Sequence, residues 1–476
     1  MRRLVAVAAV TMCIAWCGQG IGRAQAAAPE RTFGDTVGLN VKFSQGEPQG
    51  DLPLLKELGV RWVRDHIGWR EVEPEPGRYV EFPQAFRDRL KFYQENGIGI
   101  CFILGYENAK AYPDTPEKPF NSIDPEAFGR YAVEAAKQLK AAGVRFVLEV
   151  WNEPHNFTIK KKVGGEWNAK LPSPWVDHYV KMVAEAVKQV KAFDPQVRLL
   201  DDDDMWIIHY WFLEKGLPPQ LDGFAFHPYS GASSGPEMAA VGQETNWAKP
   251  FTMTDADRSL QSAVRRLREQ AVAKMGKVPA FWATEWGWNV NDKAPFTLLT
   301  PDGKMNPDAV AAYVPRAFIT AAAAGVETVL WFSSYDNGDG PMGLMANGGK
   351  QRKAFGAFKT MTQELGAFTL VRHVIGGDHR TSGVQAYQFR GPAGDKLVLW
   401  DIDGTAVFVV NAKDLRRDAV RIVDVQGQSV PLQSAKDGRI FLSLSQAPIY
   451  VTGLPADLSL EAAPPDVATT PVYLFP

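Results

Sequence analysis

Two glutamates in this chain each lie where an apolar, strand-like run of residues ends. Glu153 closes such a run in the segment VLEVWNEPHN, and Glu285 is the last residue of VPAFWATE. Two carboxyl groups that face one cavity can split a glycosidic bond. One acid protonates the departing oxygen, and the other attacks the anomeric carbon when the carboxyls are about 5–5.5 Å apart. This chemistry requires a fold that brings residues 153 and 285 together.

A repeating pattern of strands and helices predicts such a fold. Eight short apolar runs alternate with helical segments from residue 35 to about residue 365, a pattern typical of parallel strands joined by crossover helices. Eight units over roughly 330 residues fit a (β/α)8 TIM barrel. No Gly-x-Gly-x-x-Gly follows the first run, which weakens the alternative of a dinucleotide-binding open sheet. The predicted strands are residues 37–43, 60–65, 97–104, 145–151, 197–200, 222–227, 278–285 and 327–333.

Helix signals fill the gaps between these runs. One helix begins at Asp124-Pro125, a good cap followed by a good first-turn residue, and others begin near Pro174 and Leu260. Active sites of TIM barrels lie at the carboxyl ends of the strands. The pattern therefore predicts Glu153 on strand four and Glu285 on strand seven, both at the barrel mouth.

The periodicity changes after about residue 365. Five strand-like runs follow, separated by Asp-Gly and Gly-Asp turn signals, at residues 397–401, 405–410, 419–425, 439–444 and 448–453. We expect a catalytic barrel over residues 27–366 and a small C-terminal antiparallel β-sandwich over residues 367–476.

The first residues have the features of a signal peptide. Arg2 and Arg3 precede an apolar run, and a small-residue cleavage site follows at Ala24-Gln25-Ala26. We predict a signal peptide over residues 1–26 and an exported protein, periplasmic or secreted, in a bacterium. The alternative of a lipid anchor on Cys17 is disfavoured by the bulky residue before it. Cleavage leaves Cys101 as the one thiol, which excludes an internal disulfide.

Composition excludes several classes of partner. With 52 Lys and Arg against 54 Asp and Glu, the net charge of −2 provides no field for gripping nucleic acid. The N-terminal apolar run is too short for a membrane span. We expect a monomer without metal or organic cofactor. The acidic run Asp201–Asp204 lacks the alternating spacing of a calcium loop and is interpreted as a solvated turn, with contact to a substrate hydroxyl left open.

The residues around both glutamates resemble a known group of enzymes. Asn-Glu-Pro at the end of strand four and Thr-Glu-Trp-Gly at the end of strand seven look like retaining glycoside hydrolases of clan A, the 4/7 superfamily. Within the clan the chain is most similar to family 39, with family 5 next. The resemblance implies that Glu153 is the acid/base and Glu285 the nucleophile.

The same resemblance implies roles for five further residues. Asn152 would hold the sugar 2-hydroxyl, Arg64 would keep the nucleophile ionised, and His227 and Tyr229 would form a His-x-Tyr pair that orients it. Trp331 would form the floor of the −1 subsite.

Independently of the resemblance, aromatic residues at strand ends or in loops can stack on sugar rings. Tyr106 and Trp286 are such candidates, as are Trp167 and Trp288.

The chemistry sets opposite requirements for the two glutamates. Glu153 must be protonated before cleavage, and we expect Trp151 and Glu285 to raise its pKa. Glu285 must stay ionised, with Arg64 as the nearest candidate cation. Glu149 is the rival carboxylate, but its mid-strand position predicts that it points into the barrel and pairs with a buried cation, which could also be Arg64.

These features predict a retaining O-glycoside hydrolase that acts by double displacement, cutting a bacterial or plant polysaccharide internally. The alternatives are an exo-acting β-glycosidase of the β-xylosidase type, a transglycosylase, and a non-catalytic carbohydrate-binding or assembly protein. Sugar and linkage depend on the long segments after strands four and six, residues 157–174 and 230–254, which could wall a cleft.

Overall fold

The computed structural model describes most of the chain after residue 30. The described residues are 31–204, 206–230, 235–239, 246–291, 305–375, 383–404, 406–411, 416–434, 440–455 and 459–462. The predicted signal peptide over residues 1–26 lies outside them.

Eight parallel strands form a closed barrel in chain order, with β8 pairing back onto β1. This confirms the predicted TIM barrel, and each of the eight predicted strands is present. The strands are β1 (Val37–Asn40), β2 (Trp62–His66), β3 (Gly99–Leu104), β4 (Phe146–Val150), β5 (Leu199–Asp203), β6 (Gly223–Phe226), β7 (Ala280–Trp286) and β8 (Thr328–Trp331).

The barrel interior has a lower layer of apolar side chains and a layer of polar side chains at the mouth, where the strands have their carboxyl ends. Successive side chains of a strand point to opposite faces, so residues two apart share the interior. The apolar layer consists of Trp62, Cys101, Val147, Leu200, Ala225, Trp282 and Leu330. Two residues further along four of these strands stand the buried polar residues Arg64, Glu149, Asp202 and His227. The alternation thus stacks a charged layer directly on the apolar one.

Helices surround the barrel and cover the outward faces of its strands. The helix predicted at Asp124-Pro125 runs over Pro125–Ala141 and begins with the Asp124 side chain accepting a hydrogen bond from the backbone N–H of Ala127. The helices are α1 (Leu52–Glu57), α2 (Trp69–Val72), α3 (Gln84–Glu95), α4 (Pro125–Ala141), α5 (Ile159–Val163), α6 (Pro174–Phe193), α7 (Trp206–Lys215), α8 (Leu260–Met275), α9 (Pro307–Ala323) and α10 (Lys353–Leu365). Among the described residues, no helix has both the length and the apolarity needed to cross a bilayer.

Antiparallel strands make up the chain after α10, as predicted. A short hairpin, β9 (Met345–Ala346) and β10 (Lys350–Gln351), precedes that helix. The later strands form a six-stranded sheet in the order β11-β12-β13-β19-β15-β16 and a four-stranded sheet in the order β17-β18-β14-β20. They are β11 (Thr369–His373), β12 (Val384–Gly391), β13 (Gly394–Asp401), β14 (Ala406–Asn411), β15 (Arg421–Val423), β16 (Ser429–Val430), β17 (Gln433–Ser434), β18 (Ile440–Leu444), β19 (Ile449–Thr452) and β20 (Ser459–Ala462).

A buried ion pair joins the sheets to the barrel. Arg316 on α9 contacts both carboxylate oxygens of Glu237 at 2.9 and 2.8 Å, and the indole N–H of Trp400 on β13 donates to the same carboxylate at 2.9 Å. Glu237 lies in the segment between β6 and α8. The C-terminal sheets therefore help to hold a segment that follows a barrel strand at the mouth.

Candidate active site

A cavity of about 530 Å³ opens at the carboxyl ends of the strands. It contains both predicted catalytic glutamates together with five other predicted site residues. Its lining includes Arg64, Tyr106, Asn152, Glu153, Tyr229, Glu285 and Trp288. An oxygen of Glu153 and an oxygen of Glu285 lie within 4.8 Å of each other. The barrel thus brings together two carboxylates that are far apart in the chain.

Both carboxylate oxygens of Glu285 have a fixed partner. Arg64 Nη1 donates to Oε1 at 2.5 Å, and the hydroxyl of Tyr229 donates to Oε2 at 3.0 Å. The pairing of β7 with β8 shifts register between Ala283 and Trp286, and this irregularity includes Glu285. One guanidinium and one phenol therefore fix the orientation of this carboxylate in the cavity.

Arg64 connects Glu285 to the interior of the barrel. Its Nε and Nη2 donate to Glu149 at 2.7 and 3.1 Å, and Nη2 also donates to the side-chain oxygen of Asn152 at 2.6 Å. The prediction that Glu149 points inward and pairs with a buried cation is confirmed. Both expected neighbours of Arg64 are present, because the same guanidinium contacts Glu149 and Glu285.

Asn40 is a member of this network that the sequence interpretation missed. Its side-chain amide donates to the backbone oxygens of Thr284 at 2.7 Å and Leu330 at 3.1 Å, and its oxygen accepts from Arg64 at 3.3 Å. Asn40 therefore ties the ends of β7 and β8 to the guanidinium. A polar residue closing the apolar run VGLN was the available signal.

The backbone turns sharply after β4 and presents Glu153 to the cavity. Trp151 and Glu153 both adopt left-handed conformations, with φ of 74° and 45°. Non-glycine residues keep such conformations only where the surroundings hold them. Here the backbone N–H of Glu153 donates to Asp202 Oδ2 at 2.7 Å, and the Trp151 indole donates to the backbone oxygen of Phe157 at 3.0 Å.

His227 is buried between three carboxylates. Its Nδ1 lies 2.9 Å from Glu153 Oε1 and 3.9 Å from Glu285 Oε2, and its Nε2 lies 3.2 Å from Asp202 Oδ1. Burial alone would lower the pKa of this imidazole, but Glu285, Asp202 and Glu153 together raise the pKa well above its usual range. His227 is therefore a buried cation.

The expected raised pKa of Glu153 is wrong for the free protein. Burial acts to raise this pKa, but the hydrogen bond and positive charge of His227 outweigh it, and the pKa is lowered to about 2. Asn156 also donates to Glu153 Oε2 at 3.0 Å. The prediction considered Trp151 and Glu285 as neighbours and omitted the cation from strand six.

The interpretation of Asp201–Asp204 as a solvated turn is also wrong. Asp201, Asp202 and Asp203 belong to β5 and are fully buried. Each is adjacent to a histidine: Asp201 lies 3.4 Å from His209, Asp202 contacts His227, and Asp203 lies 2.8 Å from His155. His155 and His227 from distant parts of the chain, and His209 from the helix directly after β5, supply the positive charge that lets these acids enter the core.

Among the described residues, three sets of histidine and carboxylate groups place the donor atoms of a metal site within 4.8 Å of one another. Each set contains His227 or His155. A metal needs a neutral imidazole nitrogen. The pKa of His227 is raised, and the pKa of His155 is raised to about 9 because Asp203 and Asp204 outweigh the effect of burial. A proton on the imidazole already neutralises these carboxylates, so the sets fit ion pairs better than metal ligation.

The structure differs from the prediction for two aromatic residues. Trp331 and Trp286 are fully buried, and the described cavity lining includes neither. Their inward neighbour is Trp288, whose ring centroid is 5.6 Å from each. Strand alternation explains the placement of Trp331, because Leu330 belongs to the barrel interior and Phe332 lines the cavity, so the residue between them points outward.

Tyr106 lies at the cavity as predicted, with its ring 5.5 Å from Trp151 and 6.4 Å from Phe157. Trp288 also lines the cavity as predicted, and the lining contains the further aromatic residues His66, Phe157, Tyr229 and Phe332.

Solved structures with the same fold include several glycoside hydrolases. A family 39 glycoside hydrolase from Bacteroides cellulosilyticus aligns with a TM-score of 0.68 at 20% identity, over 89% of this chain and 82% of that one. A monomeric beta-xylosidase from Caulobacter crescentus aligns with a TM-score of 0.53 at 14% identity, over 89% and 96%. A family 30 subfamily 8 xylanase from Clostridium acetobutylicum aligns with a TM-score of 0.52 at 13% identity, over 87% and 94%.

No protein-family profile matches the chain, and no curated protein sequence matches it. At identities of 20% or less, the likeness to these solved structures shows a shared fold.

The histidine beside Asp203 gives a prediction for stability. The folded-state pKa of His155 is raised from 6.5 to about 9, so its stabilisation is fully present below pH 6.5 and is lost as pH rises through 9. His155→Gln should lower the free energy of unfolding by roughly 2–3 kcal/mol at pH 6 and much less at pH 10. Urea unfolding of wild type and of His155→Gln between pH 6 and pH 10 measures this difference in the free energy of unfolding. An equal deficit at both pH values would contradict a charged His155.

Proposed function

We propose that this protein is a retaining O-glycoside hydrolase that cuts a polysaccharide by double displacement. The observation that supports this most strongly is the pair of carboxylates, with oxygens within 4.8 Å and opposite surroundings. Retaining enzymes place their carboxyls about 5–5.5 Å apart, whereas inverting enzymes need about 6.5–9.5 Å to admit a water. Glu285 has the partners of an ionised nucleophile, and Glu153 adjoins a proton donor. The predicted signal peptide would place this activity outside the cytoplasm.

In this mechanism His227 stores the proton that cleavage requires. The charge of Glu285 helps to keep that proton on the imidazole. As Glu285 bonds to the anomeric carbon, the bond from that carbon to the departing oxygen breaks, and the negative charge of Glu285 is consumed so that its influence on His227 ends. In the same step His227 passes its Nδ1 proton to Glu153 across 2.9 Å, and Glu153 gives its proton to the departing oxygen. In the second step a water attacks the anomeric carbon, the bond to Glu285 breaks, and the water proton returns through Glu153 to His227.

The shape of the mouth supports internal cutting. A second cavity of about 690 Å³ shares Lys42 and Gln45 with the first and extends between the loops after β1 and β8, where Tyr335 and Gly348 line it. A chain of several sugars can continue from the glutamates into this space, which a single-sugar pocket would not allow. Products of mixed length early in the reaction would support internal cutting, and release of one sugar size from the start would support the exo-acting alternative.

Variants of the two glutamates test the chemistry. Glu285→Ala should lower kcat/KM by about 10⁴-fold or more, because the covalent step has no other nucleophile. Glu153→Ala should lose about 10²–10⁴-fold on unactivated oligosaccharides and much less on dinitrophenyl glycosides, whose leaving group needs no proton. Azide should restore turnover to Glu153→Ala and yield a glycosyl azide. Activity is measured against a panel of xylan, mixed-linkage β-glucan, mannan and bacterial exopolysaccharides.

The matched control is Glu269→Gln, which changes an exposed carboxylate on α8 and should retain full activity. A 2-fluoro glycoside of the active sugar should add its mass to the peptide that contains Glu285. Full activity in both glutamate variants would contradict the roles given to these residues. No hydrolysis by wild type, together with no labelled peptide from an inhibitor that does bind, would favour the carbohydrate-binding alternative.

The stored proton gives a separate prediction about pH. In wild type, loss of the shared proton requires deprotonation of His227, whose pKa is raised, so activity should persist into the alkaline range. In His227→Gln the proton must reside on Glu153 alone, and the alkaline limb of kcat/KM should move to lower pH. The measurement is the pH dependence of kcat/KM on an unactivated oligosaccharide. Dinitrophenyl glycosides, whose leaving group needs no proton, are the control substrates and should show no such shift. An unchanged alkaline limb would exclude His227 as the proton store.

A further inference from the structure

Two tryptophans outside the described cavity lining contact each other at the rim of the barrel. Trp167 lies in the segment after β4, and Trp247 lies in the segment after β6. Their ring centroids are 5.0 Å apart at an interplanar angle of 65°. Trp167 is 42% exposed, one of the few large apolar side chains that the described residues leave open to solvent. Because both segments follow barrel strands at their carboxyl ends, the pair lies on the face where the cavity opens.

The segment that presents Trp167 is anchored on both sides of it. The indole N–H of the buried Trp175 donates to the backbone oxygen of Glu166 at 2.8 Å. On the other side, Ala169 is fully buried with a φ of 63°, and its N–H donates to the same oxygen at 3.3 Å. Burial of residue 169 and the bond to residue 166 hold the intervening Trp167 outward.

Trp247 is supported in a similar way. It lies in a short 3₁₀ turn, Asn246–Ala248, whose Ala248 is buried and accepts a hydrogen bond from the N–H of Phe251 at 2.8 Å. Phe251 in turn packs on Trp211 of α7 at a centroid distance of 4.8 Å. The two indoles are therefore presented by segments fixed to the barrel helices.

The chemistry around the pair suits a sugar. Glu166, Lys170, Asn246 and Lys249 lie within three residues of the tryptophans in the chain and are exposed, so these segments also carry charged and polar groups. A pyranose ring has an apolar C–H face that stacks on an indole and an edge of hydroxyls that bind such groups. Two indoles are too small a patch for a stable protein interface, which needs a much larger contact area.

We propose that Trp167 and Trp247 form a carbohydrate-binding platform that holds a pyranoside chain at the rim, apart from the two glutamates. The identity of the polymer rests on the proposed function, since the platform would bind the polysaccharide that the glutamates cut. Binding itself is independent of catalysis. The platform also differs from a contact that only joins two loops. Loss of such a contact would impair the hydrolysis of short and long substrates alike.

Binding is tested first, in a protein that cannot turn over. The Glu285→Gln variant is separated on native gels that contain soluble arabinoxylan, mixed-linkage β-glucan, glucomannan or alginate. The degree to which each polymer retards its migration gives a dissociation constant for that polymer. Adding Trp167→Ala should weaken binding of the retarding polymer about tenfold, and Trp167→Tyr should restore most of it. Phe193→Ala is the matched control, since Phe193 is a comparably exposed aromatic residue on α6, at 38%. Retardation by none of the polymers, or equal retardation with and without Trp167, would overturn the platform.

Kinetics then separate the platform from a loop contact. On the polymer, Trp167→Ala should raise KM about tenfold with kcat unchanged, whereas on a disaccharide glycoside both constants should match wild type. An equal loss on polymer and disaccharide would overturn the platform in favour of a structural contact. A protein that is retarded through Trp167 but hydrolyses nothing would retain the platform and refute the proposed function.

Discussion

The buried guanidinium of Arg64 is the interaction on which the barrel mouth depends. It contacts Glu149 below, Glu285 above and Asn152 beside it, with Asn40 completing its surroundings. An isolated carboxylate cannot remain ionised in such a place, because removing a charge from water costs several kcal/mol unless a partner compensates. The planar fork of arginine can satisfy several acceptors at once, which a lysine could not. Glu149 is thus the support for the cation that orients Glu285.

His227 is the second buried cation, and together with Arg64 it sets the charge of the site. Glu153, Asp202 and Glu285 surround these two cations together with Glu149, whose pKa burial raises to about 7, so that carboxylates outnumber cations at the cavity. Glycoside cleavage passes through a transition state with oxocarbenium character, and a preorganised negative site stabilises that positive charge. The same excess would destabilise the empty barrel, and the apolar layer beneath and the helices around it offset that cost.

Sequence patterns predicted the parts of the protein that depend on local order. The strands, the helix caps and the placement of Glu153 and Glu285 at strand ends follow from periodicity within short windows. The pairing of Glu149 with a buried cation followed from strand alternation. The predictions failed where a distant residue decides the environment. The sequence does not indicate that His155 and His227 from distant segments, and His209 from the helix directly after β5, contact Asp201–Asp203, so four consecutive acids predicted a solvated turn.

The prediction of a raised pKa for Glu153 was wrong for the same reason, since His227, which lowers this pKa, lies just after β6. For Trp331 and Trp286 the prediction was wrong for a different reason. A tryptophan at a strand end can face either side of the strand, and one step of register decides whether it reaches the cavity or the helices.

In the proposed mechanism Glu285 bonds directly to the anomeric carbon, while Glu153 and His227 share one proton. Proton NMR of the product formed in the first minutes of reaction, before mutarotation, tests this direct attack. Direct attack followed by attack of water inverts the anomeric carbon twice, so the first product should have the anomeric configuration of the substrate. A first product of inverted configuration would mean that water, rather than Glu285, attacks the anomeric carbon of the substrate, and would contradict the mechanism.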